Sequence, residues 1–176
     1  EADESFKCAP SPIVFDDLRS GEFYDATKEL DGWNKPDFDD SGWPHAVPAP
    51  PLDTDYLFSD CPADRVCETL TPVLLSRTET STTYDSTRNI SGYPVIELQA
   101  EKGEQVEILF SEELCSDGSL DMEHSYQQRF LVVSDGTKRR IRPLHLVWVP
   151  LFYHHRERET GKRGGGPQPG NADLPF

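Results

Sequence analysis

The chain has 176 residues, of which 35% are hydrophobic, and its formal net charge is −15. This length is typical of one domain or two small ones. Because an acidic chain repels phosphate groups and anionic lipid, its composition argues against nucleic acid and membrane surfaces as partners. The sequence contains no run of ~18 apolar residues, so no membrane-spanning helix is predicted. We also expect no signal peptide within these residues.

The charge is divided unevenly along the chain. Residues 1–137 contain 29 acidic and 9 basic residues, a net charge of −20, whereas residues 138–176 contain 3 acidic and 8 basic residues, a net charge of +5. A change of sign of this size predicts a tail or a domain border.

The first 56 residues contain few strong secondary-structure signals. Residues 13–15 and 21–26 (GEFYDA) predict two short strands. Residues 31–43 are rich in turn formers, and Pro36 leaves room for about one helical turn. Four prolines within residues 44–56 predict an extended connector, which is the best internal boundary.

Short strands at regular spacing follow this connector. Turn signals separate them, among them residues 100–104 and the Asp117–Gly118 pair, and no long amphipathic helix is evident. This pattern predicts a mainly β protein, an antiparallel β-sandwich. The expected strands are residues 69–77, 82–85, 93–99, 105–112 and 126–133.

Aromatic and acidic residues cluster between the two N-terminal strands and the connector. Trp33 and Trp43 offer faces that stack on sugar rings, and Asp39 and Asp40 offer carboxylates that accept hydrogen bonds from sugar hydroxyls. The alternative is that both tryptophans anchor the rim of the sandwich and that the acidic pair belongs to a capped turn. No residue is predicted to be catalytic.

Six segments occur in an order that resembles the non-catalytic β-domains of bacterial α-L-rhamnosidases. The resemblance has local departures, among them Phe6 where tryptophan is usual, Thr27 where arginine is usual and Thr87 where glycine is usual. The segments are residues 3–12 (DESFKCAPSP), 21–26 (GEFYDA), 32–43 (GWNKPDFDDSGW), 62–72 (PADRVCETLTP), 84–94 (YDSTRNISGYP) and 103–121 (GEQVEILFSEELCSDGSLD).

The resemblance implies jelly-roll or concanavalin-like sandwich segments that are incomplete at both ends. Residues 1–56 would be the C-terminal part of an N-terminal sandwich, and residues 57–143 would belong to the concanavalin-like domain. The parent enzymes hydrolyse terminal α-L-rhamnosyl bonds with inversion, and their catalytic carboxylates lie in a downstream (α/α)6 barrel. We therefore expect an accessory region without activity of its own. The alternatives are a stand-alone carbohydrate-binding module and a general interaction sandwich.

The resemblance also implies partners, a metal and a location. Rhamnose-containing glycans are the expected ligands of the parent enzyme, which is periplasmic or exported, and no cofactor is required. In some relatives a jelly-roll of this region binds rhamnose through Ca²⁺, for which hard oxygen ligands are suitable. The candidate ligands are chosen on chemistry alone: Asp16, Asp17, Glu22 and Asp25.

The third expected unit, residues 144–176, departs from the family pattern. The family has an aromatic segment, F-T-W-x-G-F-R-Y, where residues 142–153 read RPLHLVWVPLFY. Permitted codons for residues 144–155 spell F-T-W-F-G-F-R-Y-F-I in a shifted reading frame. We therefore predict a shift of frame near residue 144, and the alternative is an ordinary divergent tail. Residues 156–176 are of low complexity and are expected to be disordered.

Overall fold

The computed structural model describes residues 3–50, 53–123, 129–144, 147–149 and 152–158. These residues form eleven strands and one 3-10 turn, Ala26–Lys28. No helix among them is long and apolar enough to cross a membrane. The strands are β1 Ile13–Asp17, β2 Gly21–Asp25, β3 Val73–Arg77, β4 Ser81–Asp85, β5 Ile90–Gly92, β6 Ile96–Leu98, β7 Gln105–Ser111, β8 Arg129–Val133, β9 Arg139–Ile141, β10 Val147–Val149 and β11 Phe152–Arg158.

Seven of these strands form one sheet in the order β1-β2-β8-β7-β11-β4-β3. Two ribbons of two strands, β5 with β10 and β6 with β9, complete the β-structure. Neighbouring strands are antiparallel except for β2 and β8, which run parallel. The expected mainly β, antiparallel fold is therefore confirmed, with one parallel pair that the sequence pattern did not predict.

The hydrophobic core lies on one face of the central strands of this sheet. Alternate residues of β7 and β8 point to this face, because side chains alternate along a strand, and Ile108 lies opposite Phe130 in the ladder. The β6–β9 ribbon covers this face and adds one core residue from each strand, so the protein has two layers. The core residues, each at most 9% exposed, are Leu98, Val106, Ile108, Phe110, Phe130, Val132 and Ile141.

The N-terminal strands belong to the same sheet as the strands that follow the connector. Strand β2 pairs with β8, so the chain on either side of residue 56 contributes to a single sheet. Gly21 permits this contact: its φ is +92°, and a Cβ atom there would lie 1.9 Å from the carbonyl oxygen of Arg129. Only glycine tolerates both conditions without strain.

The turn-rich loop after β2 differs from the expectation of a helical turn near Pro36. The one helical turn of the described residues lies earlier, at Ala26–Lys28, because the Asp25 carboxylate caps its N-terminus by accepting a hydrogen bond from the backbone N–H of Thr27 at 3.1 Å. Residues 31–43 instead form successive turns, one of which is closed by a hydrogen bond from the N–H of Phe38 to the carbonyl of Lys35 at 3.2 Å.

The strands continue past the boundary expected at residue 143. The backbone of β11 lies between β7 and β4, near the middle of the seven-stranded sheet, and β10 pairs with β5. Residues 156–158, expected to be disordered, form the end of β11, since their backbone pairs with β7. The remainder of that expected disordered segment, residues 159–176, lies outside the described residues.

Candidate functional site

The two tryptophans expected to bind sugar occupy different environments. The side chain of Trp33 is 58% exposed, and its backbone N–H closes a turn on the carbonyl of Leu30 at 3.1 Å. Trp43 is half-buried, and its ring is tilted by 60° against that of Phe38, with centroids 5.5 Å apart. Trp33 thus presents an accessible aromatic surface, whereas Trp43 forms a local hydrophobic contact within the loop.

The neighbouring carboxylates have structural partners. One oxygen of Asp39 accepts the backbone N–H of Ser41 at 3.0 Å, and hydrogen bonding from Ser41 lowers the pKa of Asp39. Asp40 forms an ion pair with Lys7, whose Nζ lies 2.8 Å from the carboxylate. These contacts shape the loop and attach it to residue 7, which is bridged to His45.

The four carboxylates proposed as calcium ligands do not form a single site. Asp16 lies opposite Glu22 in the β1–β2 ladder and Asp17 lies opposite Gly21, so Asp16 and Glu22 share one face and Asp17 lies on the other. Asp25 shares the face of Asp17, but it is four residues along β2 from Gly21, or ~13 Å. Among the residues that the structure describes, no group of three His, Cys, Asp or Glu side chains is arranged to hold a metal ion. Calcium binding stays a prediction without a fitting site in these four residues.

Two of these carboxylates cap turns. Asp17 accepts the backbone N–H groups of Arg19 at 2.9 Å and Ser20 at 2.7 Å, at the tip of the β1–β2 hairpin. The hydrogen bond from Ser20 is the main reason that the pKa of Asp17 is lowered. Partial burial raises the pKa of Asp25, but hydrogen bonds from Thr27 and Lys28 outweigh burial and lower it overall.

Glu22 is a buried carboxylate on the core face of the sheet. It is 5% exposed, and its Oε2 accepts the backbone N–H of Leu144 at 2.7 Å. Burying a carboxylate destabilises the folded state unless the carboxylate is hydrogen-bonded or paired, and the N–H of Leu144 provides such a hydrogen bond. Glu22 therefore links β2 to the segment that leads into β10.

A polar junction, defined here as Tyr24, Glu29, Asp31, Asp135 and Arg139, joins the N-terminal segment to the end of β8 and the start of β9. Arg139 donates from Nε at 2.8 Å and from Nη2 at 2.6 Å to Asp135, and its Nη2 lies 3.9 Å from Asp31. The hydroxyl of Tyr24 donates to Glu29 at 2.8 Å.

These contacts shift the pKa values of three groups in the polar junction. The hydrogen bond from Arg139 holds the pKa of Asp135 well below its usual range, and the same bond raises the pKa of Arg139. Burial, followed by the hydrogen bond to Glu29, raises the pKa of Tyr24. The junction thus keeps Asp135 and Arg139 charged and Tyr24 neutral, which suits a structural contact between segments.

Sequence reasoning did not identify the polar junction. Its members come from positions more than 100 residues apart, and the pairing of β2 with β8 is needed to bring them together. Two local signals were present. Asp135 accepts hydrogen bonds from the N–H and the hydroxyl of Thr137, two residues later, and Tyr24 and Glu29 stand only five residues apart in the sequence.

Two family models match successive parts of the chain. The alpha-L-rhamnosidase N-terminal domain matches residues 1–68, and the bacterial alpha-L-rhamnosidase concanavalin-like domain matches residues 76–158. The second match includes β11, so it extends beyond the unit expected to end at residue 143. Strands β1 and β2 lie in the first match and the other members of the seven-stranded sheet lie in the second.

Individual relatives agree with these matches. An alpha-L-rhamnosidase of Formosa agariphila is 25% identical over 185 residues, covering 98% of this chain and 18% of the relative. The alpha-L-rhamnosidase structure from Dictyoglumus thermophilum has a TM-score of 0.80 at 26% identity, covering 92% of this chain and 19% of that one.

The alpha-L-rhamnosidase of Streptomyces avermitilis, solved in complex with L-rhamnose, has a TM-score of 0.72 at 25% identity, covering 84% of this chain and 15% of that one. The chain thus spans less than a fifth of the length of each of these three relatives. Residues 1–68 thus match the N-terminal domain of alpha-L-rhamnosidases and residues 76–158 match the bacterial concanavalin-like domain, so the chain resembles the N-terminal region of these enzymes in both the order of its domains and its fold.

Proposed function

We propose that this chain is an accessory, non-catalytic β-region of an α-L-rhamnosidase, an enzyme that hydrolyses terminal α-L-rhamnosides with inversion. The observation that carries the proposal is the single sheet in which strands of both rhamnosidase domain matches pair, β2 with β8. A continuous hydrogen-bonded sheet with strands from both matches suits a support for a neighbouring catalytic domain.

The distribution of charged side chains supports a structural role. In the polar junction, and in the capped turns at Asp17 and Asp25, carboxylates accept hydrogen bonds from neighbouring backbone or side-chain groups. The family resemblance assigns catalysis to a helical barrel, and the helical content of the described residues is one 3-10 turn, Ala26–Lys28. These residues therefore supply no part of such a barrel.

The names of the relatives support a ligand class for the parent enzyme. They are alpha-L-rhamnosidases, and one was solved with L-rhamnose. We therefore propose rhamnose-containing glycans as the parent's substrates. The periplasmic or secreted location that the family resemblance implies stays a prediction.

The purified chain tests this proposal in an assay with 4-nitrophenyl α-L-rhamnopyranoside. We expect no release of nitrophenol, while a full-length α-L-rhamnosidase in the same buffer releases it. Hydrolysis by the purified chain at a rate that scales with its concentration would overturn the accessory role, because catalytic groups would then lie within these residues.

A second candidate function, a stand-alone carbohydrate-binding module, is favoured by the exposed ring of Trp33. An accessible indole provides a stacking surface for a sugar ring. Titration with L-rhamnose, with and without Ca²⁺, should then change the tryptophan fluorescence of the native chain but not that of Trp33→Ala. Identical titrations of both proteins would remove this candidate.

A further inference from the structure

A linking segment, defined here as residues 53–69, lies between the N-terminal strands and the strands that begin with β3. Every residue of this segment is exposed, and none belongs to a strand or a helix. In the described structure no backbone hydrogen bond joins the linking segment to a strand, and its one ion pair to the remainder of the chain is that of Glu68 with Arg88. A segment with so few contacts opens locally at a small cost in free energy.

The linking segment also contains the side chains that serine endoproteases recognise. Arg65 supplies a basic residue, and Tyr56, Leu57 and Phe58 are large apolar residues that are each at least 81% exposed. The specificity pocket of trypsin contains a carboxylate that binds a basic side chain, whereas that of chymotrypsin is a hydrophobic slot. Both pocket types thus find an accessible side chain within one extended stretch of chain.

Exposure alone does not make a cleavage site, as the tip of the β1–β2 hairpin illustrates. Arg19 is exposed there, but Asp17 accepts hydrogen bonds from the backbone N–H groups of Arg19 at 2.9 Å and of Ser20 at 2.7 Å. The strands on either side of this turn are paired with each other. Because a protease binds several residues around the cleaved bond, this turn would first have to unfold, whereas the linking segment is accessible as it stands.

Cleavage of the linking segment produces two pieces of one sheet. Hydrolysis of the Arg65–Val66 peptide bond consumes one water molecule and leaves a carboxylate on Arg65 and an amino group on Val66. The first piece retains β1 and β2, and the second retains the remaining described strands.

The contacts between these two pieces lie outside the linking segment. Strand β2 pairs with β8 through four residues, and Tyr24 packs against the hydrophobic core. The Glu22 carboxylate accepts the hydrogen bond from the N–H of Leu144 at 2.7 Å, and Nη2 of Arg139 lies 3.9 Å from Asp31. Cleavage therefore leaves all of these contacts in place.

We propose that the linking segment is a proteolytic processing site for serine endoproteases that recognise arginine or a large apolar residue. The cut protein persists as a noncovalent complex of two chains, in which the pairing of β2 with β8 holds the N-terminal piece on the sheet.

Limited digestion of the full chain with trypsin in native buffer tests the site. We expect a new amino terminus at Val66 to form at least about tenfold faster than one at Ser20, because the hairpin tip must open before it is cut. Intact mass and N-terminal sequencing identify the products. Arg65→Gln should abolish the terminus at Val66, whereas Arg19→Gln, the same change at the hairpin tip, should leave its rate of formation unchanged.

Chymotrypsin tests whether the whole segment, rather than Arg65 alone, is the processing site. It should cut Arg65→Gln first after Tyr56, Leu57 or Phe58. These two digestions together separate accessibility of the segment from recognition of one side chain.

Gel filtration of the trypsin-cut chain tests the complex. The buffer contains a reductant, because the four free cysteines are divided between the two pieces and a disulfide would join them artificially. The pieces should elute together in native buffer and separately in concentrated urea. In the cut protein, Glu22→Ala should weaken the association by about tenfold, and Glu101→Ala, at an exposed site of the second piece, should leave it unchanged.

Each part of the proposal has its own contrary result. A first cut within residues 3–50 or 73–144 would overturn the assignment of the processing site. Separation of the two pieces in native buffer, or equal weakening by Glu22→Ala and Glu101→Ala, would overturn the complex held by β2 and β8.

Discussion

The carboxylate of Glu22 accepts the backbone N–H of Leu144 at 2.7 Å across 122 positions of sequence. Glu22 lies on β2, near one edge of the large sheet, and Leu144 precedes the chain segment that leads into β10 and β11. One hydrogen bond to a buried carboxylate thus connects the N-terminal part of the sheet to the last strands of the described chain.

Removing the Glu22 carboxylate should destabilise the folded chain. We expect Glu22→Ala to lower the free energy of unfolding by about 1–3 kcal/mol, because the N–H of Leu144 loses its acceptor. Glu22→Gln should recover part of the loss, since its amide oxygen still accepts. Urea unfolding gives the stability, and hydrogen exchange reports on the Leu144 amide. If Glu22→Ala were no more destabilising than Glu101→Ala at an exposed site, this hydrogen bond would not contribute.

The close approach of β2 to β8 predicts a severe effect at Gly21. Gly21→Ala would place a methyl group 1.9 Å from the Arg129 carbonyl oxygen at a positive φ, so we expect a loss above about 3 kcal/mol. Gly103→Ala is the matched control, because Gly103 has a similar φ of +85° with nothing within 4 Å of the added atom. It should cost only about 1 kcal/mol. Equal losses in urea unfolding would refute the close approach.

The ion pair of Asp135 and Arg139 predicts a dependence of stability on pH. Because the folded pKa of Asp135 is lowered, its contribution is complete above the unfolded pKa of ~3.9 and is lost as the pH falls. Asp135→Asn should be less stable than the native chain at neutral pH, and the difference should shrink as the solution becomes acidic.

Asp117→Asn is the control for this ion pair. Asp117 accepts hydrogen bonds from the N–H and hydroxyl of Ser119 at 3.0 and 2.6 Å, much as Asp135 accepts those of Thr137, but it forms no ion pair with an arginine of the described residues. Thermal unfolding from neutral to acidic pH should therefore show a smaller loss in Asp117→Asn. Superimposable curves for the two variants would argue that Arg139 adds nothing.

Thr87 is a site where substitution should stabilise the chain. Its φ is +65°, and it is the one non-glycine residue of the described chain with a positive φ. The family motif has glycine at this position. A β-branched residue is strained in the left-handed region, and glycine removes the strain while adding entropy to the unfolded chain.

The net gain expected from Thr87→Gly is about 0.5–1 kcal/mol in urea unfolding. Thr80→Gly, at an exposed turn position without a positive φ, should instead reduce stability. A loss of stability in Thr87→Gly would show that the hydrogen bond from the Thr87 hydroxyl to the Ser86 carbonyl, at 2.7 Å, outweighs the backbone strain.

The coding DNA tests the predicted change of reading frame near residue 144. The backbone of β11 runs between β7 and β4, yet its sequence, FYHHRER, contains five polar or charged residues. Strands near the middle of a sheet are normally richer in apolar residues. We expect a shifted frame of the DNA to spell the aromatic segment F-T-W-F-G-F-R-Y. Its absence from every frame would leave an ordinary divergent tail.

Local patterns in the sequence were sufficient to predict several strands and the family. The alternation of Val106, Ile108 and Phe110 indicated both a strand and its buried face, because a strand with one buried face repeats every two residues. The ordered motifs indicated the rhamnosidase domains, which the family matches confirm. The adjacent positions of Asp16 and Asp17 also argued against a shared calcium site, since neighbouring residues of a strand point to opposite faces.

The tertiary structure decided how these segments meet. The sequence indicated an acidic chain with a basic end, several short strands and a resemblance to one family. Composition and short segments are sufficient to indicate these properties. The parallel pairing of β2 with β8, the burial of Glu22 and the polar junction depend instead on contacts between distant segments. Pairing between distant strands is fixed by the packing of the whole sheet, which no local pattern encodes.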